Sequence, residues 1–270
     1  MSRTARVLAA ALVAALSLAG CTASDRPSTS TTAPVTSAST SEVPQATGDI
    51  TVFAAASLTE TFTELGKQFE AANPGAKVTF NFAGSSALAQ QINQGAPVDV
   101  FASAAPANMK QVTDAGGITA TPTTFVRNKL QIAVPKGNPG KVTGLADFGK
   151  DELKIALCAE AVPCGAAAKK ALEAAGVTAK PDTLEQDVKA ALTKVKLGEV
   201  DAALVYATDV KSTKGEVEGI DFPEADKAIN DYPIAPLAKA PNAAGAQAFV
   251  DFVLSDKGRA VLTAAGFAKP

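Results

Sequence analysis

The chain has 270 residues, 47% of them apolar and 19% charged, with 25 basic against 27 acidic side chains and no histidine. That is enough material for one large or two modest globular domains with a full core. The charge balance leaves no basic surplus for nucleic acid, and the missing histidine excludes Ser-His-Asp and Cys-His catalysis together with the commonest metal ligand.

The first segment is a targeting signal and not part of the fold. Arg3 and Arg6 precede an apolar run from Val7 to Leu18 and then small residues, which is the make-up of a secretory signal and too short for a dedicated membrane span. Its end, LAGC, resembles the bacterial lipoprotein signal, in which residues 1–20 are removed and Cys21 is lipidated. An ordinary signal with a chance cysteine is the other reading. The resemblance implies an exported protein, lipid-anchored at the outer face of the cell membrane. Residues 22–48, TASDRPSTSTTAPVTSASTSEVPQATG, are almost all Ser, Thr, Ala and Pro and cannot build a core. They read as a tether, with a root-mean-square span of roughly 30 Å for a flexible coil. Losing Arg3 and Arg6 leaves 23 basic against 27 acidic residues, a mature charge of about −4. An anionic ligand would therefore have to be held by local donors and not by bulk charge.

From residue 49 the pattern alternates short apolar runs with amphipathic stretches. DITVFAAAS reads as a strand, and the helix after it puts Leu58, Phe62, Leu65 and Phe69 on one face. KVTFNFAGS is a second strand, with a helix over SALAQQINQG. VDVFASA is a third, followed by a helix around PANMKQVTDAGG. Strand, helix, strand, helix with short links predicts an α/β fold with mostly parallel sheets flanked by helices. KLQIAVPKG opens a second series with LKIALC, helices over GAAAKKALEAAG and DVKAALTKVKLG, and the strand VDAALVY. DYPIAPL and two last helices return to the first series. The prediction is a first lobe of residues 49–128 with 231–270 and a second lobe of residues 129–230.

Cys158 and Cys164 lie six positions apart in LCAEAVPCG. In an exported chain they are candidates for a disulfide, worth about 2 to 3 kcal/mol on the loop-entropy model, with two free thiols as the alternative.

Ligands of open parallel sheets sit beyond the carboxyl ends of strands, where helix N-termini present unpaired N–H groups. Four segments have that form. In AAASLTE, Ser57 with Glu60 three residues on matches a capping box. In FAGSSALAQ, Ser85 and Ser86 follow a strand and a glycine, and a cap is again the plain reading. AVPCGAAAKKAL leads a helix with Cys164 and Gly165. EQDVKAALTKV offers Asp187 as cap and the Val188 amide. The strand DAALVYATD ends at Tyr206, one of two tyrosines in the chain, where a half-buried core role is the plain reading. All these donors are neutral, and a fully ionised tetrahedral oxyanion asks only for donors.

The blocks ITVFAAASLTETF, FNFAGSSALAQQINQGAPVDVFASA, VPCGAAAKKAL, EQDVKAALTKVKLGEVDAALVYATD and FVLSDKGRAVLTAAGF resemble the molybdate-binding component of bacterial ABC uptake transporters. The resemblance implies a type II periplasmic-binding-protein fold whose two lobes close on molybdate, or on tungstate as a near-isosteric second ligand, for delivery to a membrane permease. It implies a monomer with no cofactor, no catalysis and no direct protein ligand to molybdenum. It assigns oxyanion binding to Ser57, Ser85, Cys164, Val188 and Tyr206, with Cys164 acting through its amide where a small residue such as alanine is the family's habit. Besides a purely structural lipoprotein that binds no oxyanion, two rivals stand beside it. One is a binding protein for another oxyanion such as sulfate. The other is an exported Ser-Lys hydrolase, against which neither serine begins an S-x-x-K pattern.

Overall fold

A computed structural model of the chain describes residues 45–270. The signal segment, Cys21 and the tether as far as residue 44 lie outside the described residues.

Two five-stranded sheets form the framework. The first is built on β1 (Gly48–Ala55), β2 (Ala76–Ala83), β3 (Val100–Ala102), β4 (Thr123–Asn128) and β10 (Asn230–Pro236), in the order β2-β1-β3-β10-β4. The second comprises β5 (Leu130–Pro135), β6 (Ile155–Cys158), β7 (Thr183–Glu185), β8 (Ala202–Tyr206) and β9 (Val217–Ile220), in the order β7-β6-β8-β5-β9. Each sheet carries one strand that runs against its neighbours, β10 in the first and β5 in the second. Lys129 alone separates β4 from β5, and the chain returns between Ile220 and Asn230 through a 3-10 turn, Pro223–Lys227.

The interior strand β1 is covered on both faces, which is why its sequence is a nearly continuous apolar run. On one face Ile50, Val52 and Ala54 meet α1 (Thr59–Ala72) and α7 (Ala243–Leu254), where Phe62, Phe69 and Phe249 pack edge to face at 5.4 and 6.1 Å between centroids. The opposite face sends Phe53 into a smaller core with Phe101 and with Leu88 and Ile92 of α2 (Ser85–Asn93) and Met109 and Val112 of α3 (Pro106–Asp114). The strand alternation of Cβ directions produces this division. In the second lobe α4 (Pro163–Ala175) and α5 (Val188–Lys196) cover the sheet. The buried face of α5 is Val188, Ala191, Leu192 and Val195, which is helical spacing. The short α6 (Ala207–Ser212) follows β8, and α8 (Asp256–Ala265) ends the chain's helices.

Register decides what the sheet presents at its end. β1 and β2 pair in parallel from Gly48↔Ala76 to Ala55↔Ala83, so Ser57 and Ser85 each stand two residues beyond the last pair. Ala54 pairs with Ala102 of β3, and Ala104 lies two residues beyond that. Three carboxyl ends thus finish level with one another, at the place where open sheets bind ligands.

The lower part of the first lobe is tied by one buried carboxylate. Asp99 Oδ2 accepts from Thr51 N–H at 2.7 Å and Oδ1 from Asn242 N–H at 2.6 Å, joining β1 to the cap of α7. Asp99→Ala leaves both donors without a partner, and hydrogen bonds to a charged group contribute about 1.5 to 3 kcal/mol each. The variant should lose about 3 kcal/mol or more in denaturant unfolding. A loss below about 1 kcal/mol contradicts this role.

Candidate functional site

Between the lobes lies a narrow cavity. Its volume is about 10 Å³. The first lobe contributes Ser57, Gly84, Ser85 and Ala104 among others, and the second contributes Val162, Pro163, Cys164, Asp187, Val188 and Tyr206. All five residues singled out from the sequence, Ser57, Ser85, Cys164, Val188 and Tyr206, therefore border the same space although they are spread over 150 residues.

Three of the five stand in the first turn of a helix. Ser85 opens α2, Val188 opens α5 and Cys164 is the second residue of α4. Amides in a first helical turn have no acceptor within their own helix, and the positive end of the helix dipole lies with them. Asp187 caps α5 by accepting from Ala190 N–H at 2.9 Å, as its position predicts.

The two serines, in contrast, are not caps. Ser57 lies inside a 3-10 turn, Ala56–Leu58, and Leu58 occupies the N-cap of α1 without a side-chain bond. Its hydroxyl instead meets the Tyr232 hydroxyl at 2.9 Å. At α2 the cap position belongs to Gly84, and Ser85 Oγ accepts from Ala104 N–H at 3.0 Å. Both serines are buried, and neither satisfies its own helix. The extra 3-10 turn is the physical reason for the first difference, since it moves the start of α1 two residues past Ser57.

Tyr206 is buried, and its hydroxyl accepts from Asn230 Nδ2 at 2.9 Å. Its ring crosses that of Tyr232 edge to face, 5.9 Å between centroids. Burial pushes both phenols well above their ordinary range, with the neighbouring tyrosine adding to the effect for Tyr206 and Ser57 opposing it for Tyr232. Each remains a protonated hydroxyl at any ordinary pH. Tyr232, Asn230 and Ala104 were not picked out by sequence reasoning. The scarcity of tyrosine was the one signal for Tyr232, which lies in the DYPIAPL strand.

Cys158 and Cys164 are joined by a disulfide with Cα atoms 5.7 Å apart. The bond pins the first turn of α4 to the end of β6. Packing there is tight, because a Cβ at Gly165 would meet the Ala159 carbonyl at 2.0 Å.

A lysine next to the cavity joins the lobes. Lys189 Nζ reaches Glu60 of α1 at 2.8 and 2.9 Å and Asp209 Oδ1 of α6 at 3.1 Å, the latter out of line for a hydrogen bond. Burial lowers the lysine's proton affinity, but Asp209 and Glu60 together outweigh it and leave it raised. Asp209 is fully buried, which pushes its carboxyl up to about 6 against the pull of Lys189 and the Tyr206 amide.

Two five-stranded α/β lobes, crossed twice by the chain and enclosing one cavity at the ends of their strands, define a two-lobed periplasmic-binding-protein fold of type II. Residues 50–268 match the family described as bacterial extracellular solute-binding protein, and the chain belongs to it. It is 42% identical over 265 residues to the molybdate-binding protein ModA of Mycobacterium tuberculosis, covering 97% of this chain and 98% of the relative. In fold it resembles the periplasmic molybdate-binding protein of Azotobacter vinelandii, with a TM-score of 0.71 at 22% identity over 82% of this chain and 99% of that one. The sulfate-binding protein SubI of Mycobacterium tuberculosis has the same TM-score, 0.71, at 15% identity over 82% and 86%.

A Cβ at Gly84 would lie 2.3 Å from the Gln186 carbonyl of the other lobe. Gly84→Ala should therefore leave the unliganded melting temperature nearly unchanged and oppose closure, weakening any ligand held by both lobes about tenfold or more, since 1.4 kcal/mol of strain suffices for that. Unaltered affinity in calorimetry would show that the lobes need not approach this closely. For Asp209, the folded protein holds a proton between about pH 4 and pH 6 that the unfolded chain releases, because the folded value of about 6 exceeds the ordinary 3.8. This group thus lowers stability as pH rises through that window. Asp209→Asn should gain stability relative to the unaltered protein between pH 4 and pH 7, and denaturant midpoints showing a pH-independent difference refute the assignment.

Proposed function

We propose that this chain captures molybdate outside the cytoplasm, with tungstate as a second ligand, and delivers it to the membrane permease of an ABC transporter. In this reading it is a monomeric lipoprotein, anchored through Cys21 by the tether, and carries out no catalysis. Residues 49–128 with 231–270 form the first moving lobe and residues 129–230 the second.

The observation that carries the reading is the convergence of five neutral donor positions on one narrow interlobe cavity. Ser57 and Ser85 would donate from the first lobe, and the Cys164 and Val188 amides and the Tyr206 hydroxyl from the second. An anion bridging both sets favours the closed arrangement over the open one by the difference in its contacts with each. The fold by itself does not choose between molybdate and sulfate, since neighbours named for either are equally similar. The sequence identity of 42% to a relative named for molybdate supports the first.

A thermal-shift screen of the protein against molybdate, tungstate, sulfate and phosphate tests class and ligand together, because a ligand that binds only the folded state raises its melting temperature. Molybdate and tungstate should give the largest shifts, and no shift with any oxyanion contradicts the reading. Ser57→Ala should weaken molybdate binding by about ten- to a hundredfold in calorimetry, the equivalent of one hydrogen bond to a charged oxygen. An affinity equal to that of the unaltered protein removes Ser57 from the site.

A further inference from the structure

Among the described residues a single ion pair joins the lobes, Lys189 of α5 with Glu60 of α1. The same ammonium serves a second carboxylate in its own lobe, Asp209 of α6, at 3.1 Å. Two carboxylates thus contend for one cation, and the geometry shows which prevails with the lobes together. Lys189 Nζ donates to the two Glu60 oxygens at 2.8 and 2.9 Å and to Ser212 Oγ at 3.3 Å. Ser212 Oγ spends its own proton on the Asp209 carbonyl at 2.7 Å, so its lone pairs are left for the ammonium. Asp209 Oδ2 accepts from the Tyr206 amide at 3.2 Å. Asp209 Oδ1, with Lys189 out of line, has no hydrogen-bond partner although the residue is fully buried.

A buried charged acceptor without its hydrogen bond costs more than an exposed ion pair contributes. Glu60 is 54% exposed, so water takes the place of Lys189 once the lobes part. Asp209 has no such substitute, and Lys189 is its one ion-pair partner among the described residues. Burial raises its proton affinity most, and Glu60 adds a smaller push in the same direction against the pull of Lys189. Approach of the first lobe therefore worsens the surroundings of this carboxylate. Separation withdraws Glu60 and leaves the ammonium free to turn a proton to Oδ1.

We infer that Asp209 is a positioning residue that acts through Lys189 against closure, drawing the ammonium away from Glu60 and so limiting how tightly a ligand enclosed by both lobes is kept. The inference rests on the oxyanion reading proposed above and deepens it with a restraint on retention, which a carrier that must give up its ligand needs. Asp209 is not among the residues that line the cavity. Its effect passes through the equilibrium between open and closed arrangements, which a ligand shifts only by its differential affinity for the two.

Asp209→Asn keeps the size of the side chain and an oxygen for the Tyr206 amide while removing the charge. Asp209→Ser, smaller and with a hydroxyl for that amide, serves should the first fail to fold, which thermal unfolding without ligand will show. Calorimetry at about pH 8, where Asp209 is ionised in the unaltered protein, should find molybdate bound about tenfold more tightly by either folded variant, the scale of one hydrogen bond to a charged group. Glu60→Gln in the same chain should cancel most of that gain, because Lys189 then has no carboxylate across the cleft. Small-angle X-ray scattering without ligand should give the folded Asp209 variant a smaller radius of gyration than the unaltered protein. Affinity that is unchanged or weakened overturns the role of Asp209, and a gain that persists in full beside Glu60→Gln does the same, since it places the effect within one lobe. An unaltered protein that binds no oxyanion overturns the underlying reading instead, and the scattering comparison then still decides whether Asp209 opposes closure.

Discussion

The peptide of Ala104 is the fixed point of the cavity. It stands where β3 ends, level with the ends of β1 and β2, and uses both of its polar groups across the interior, N–H to Ser85 and C=O to Asn230. Because the carbonyl orients Asn230 and Asn230 orients Tyr206, one backbone unit connects a serine of the first lobe with a tyrosine of the second. The arrangement depends on register. A slip of one residue between β1 and its neighbours would turn every side chain of the strand to the other face and carry Ser57 out of the cavity wall with it.

Donors gathered in this way oppose their own burial. An N–H or O–H enclosed without an acceptor costs about 1 to 3 kcal/mol, and the cavity collects first-turn amides of three helices besides the hydroxyls. An empty closed cleft is therefore disfavoured, and under the proposed function an anion that satisfies all the donors together would remove the penalty. The same arithmetic explains why no lysine or arginine lines the cavity. A cation there would hold the lobes to an anion of any shape, whereas fixed neutral donors respond to where each oxygen lies.

Much of this was legible in the sequence because the elements that matter are the doubly covered strands and the helices after them. The runs VFAAAS, FNFAGS and ALVYATD mark strand ends plainly, and the five candidate residues stand just beyond such ends or at helix starts. What was not legible depends on contacts between distant segments. Ser57 satisfies every local criterion of a capping box, yet an added 3-10 turn and a tyrosine 175 positions away take its hydroxyl. β7 escaped detection because it is three residues long, ends in a charge and leaves Leu184 58% exposed, so it has no apolar run. Asn230 and Ala104 have no local signature at all. An asparagine before DYPIAP reads as a turn residue, and only the antiparallel placement of β10 between β3 and β4 brings it to the Ala104 carbonyl.

Closure itself is divided between steric permission and ligand. Gly84 permits it, since any side chain there meets Gln186 across the cleft. The ion pair between Lys189 and Glu60 accompanies it, but Glu60 is 54% exposed, and pairs of that kind contribute about 0 to 1 kcal/mol. Lys189 is already held within its own lobe by Asp209, so release of Glu60 leaves the buried carboxylate paired and the open arrangement bears little electrostatic cost. The disulfide acts within the second lobe alone, fixing the first turn of α4 to β6, and so shapes what is presented to the cleft without drawing the lobes together. With the ion pair too weak and the disulfide confined to one side, the term that would close the lobes under the proposed function is the satisfaction of the donors that both sides present, and that term exists only when an acceptor lies between them.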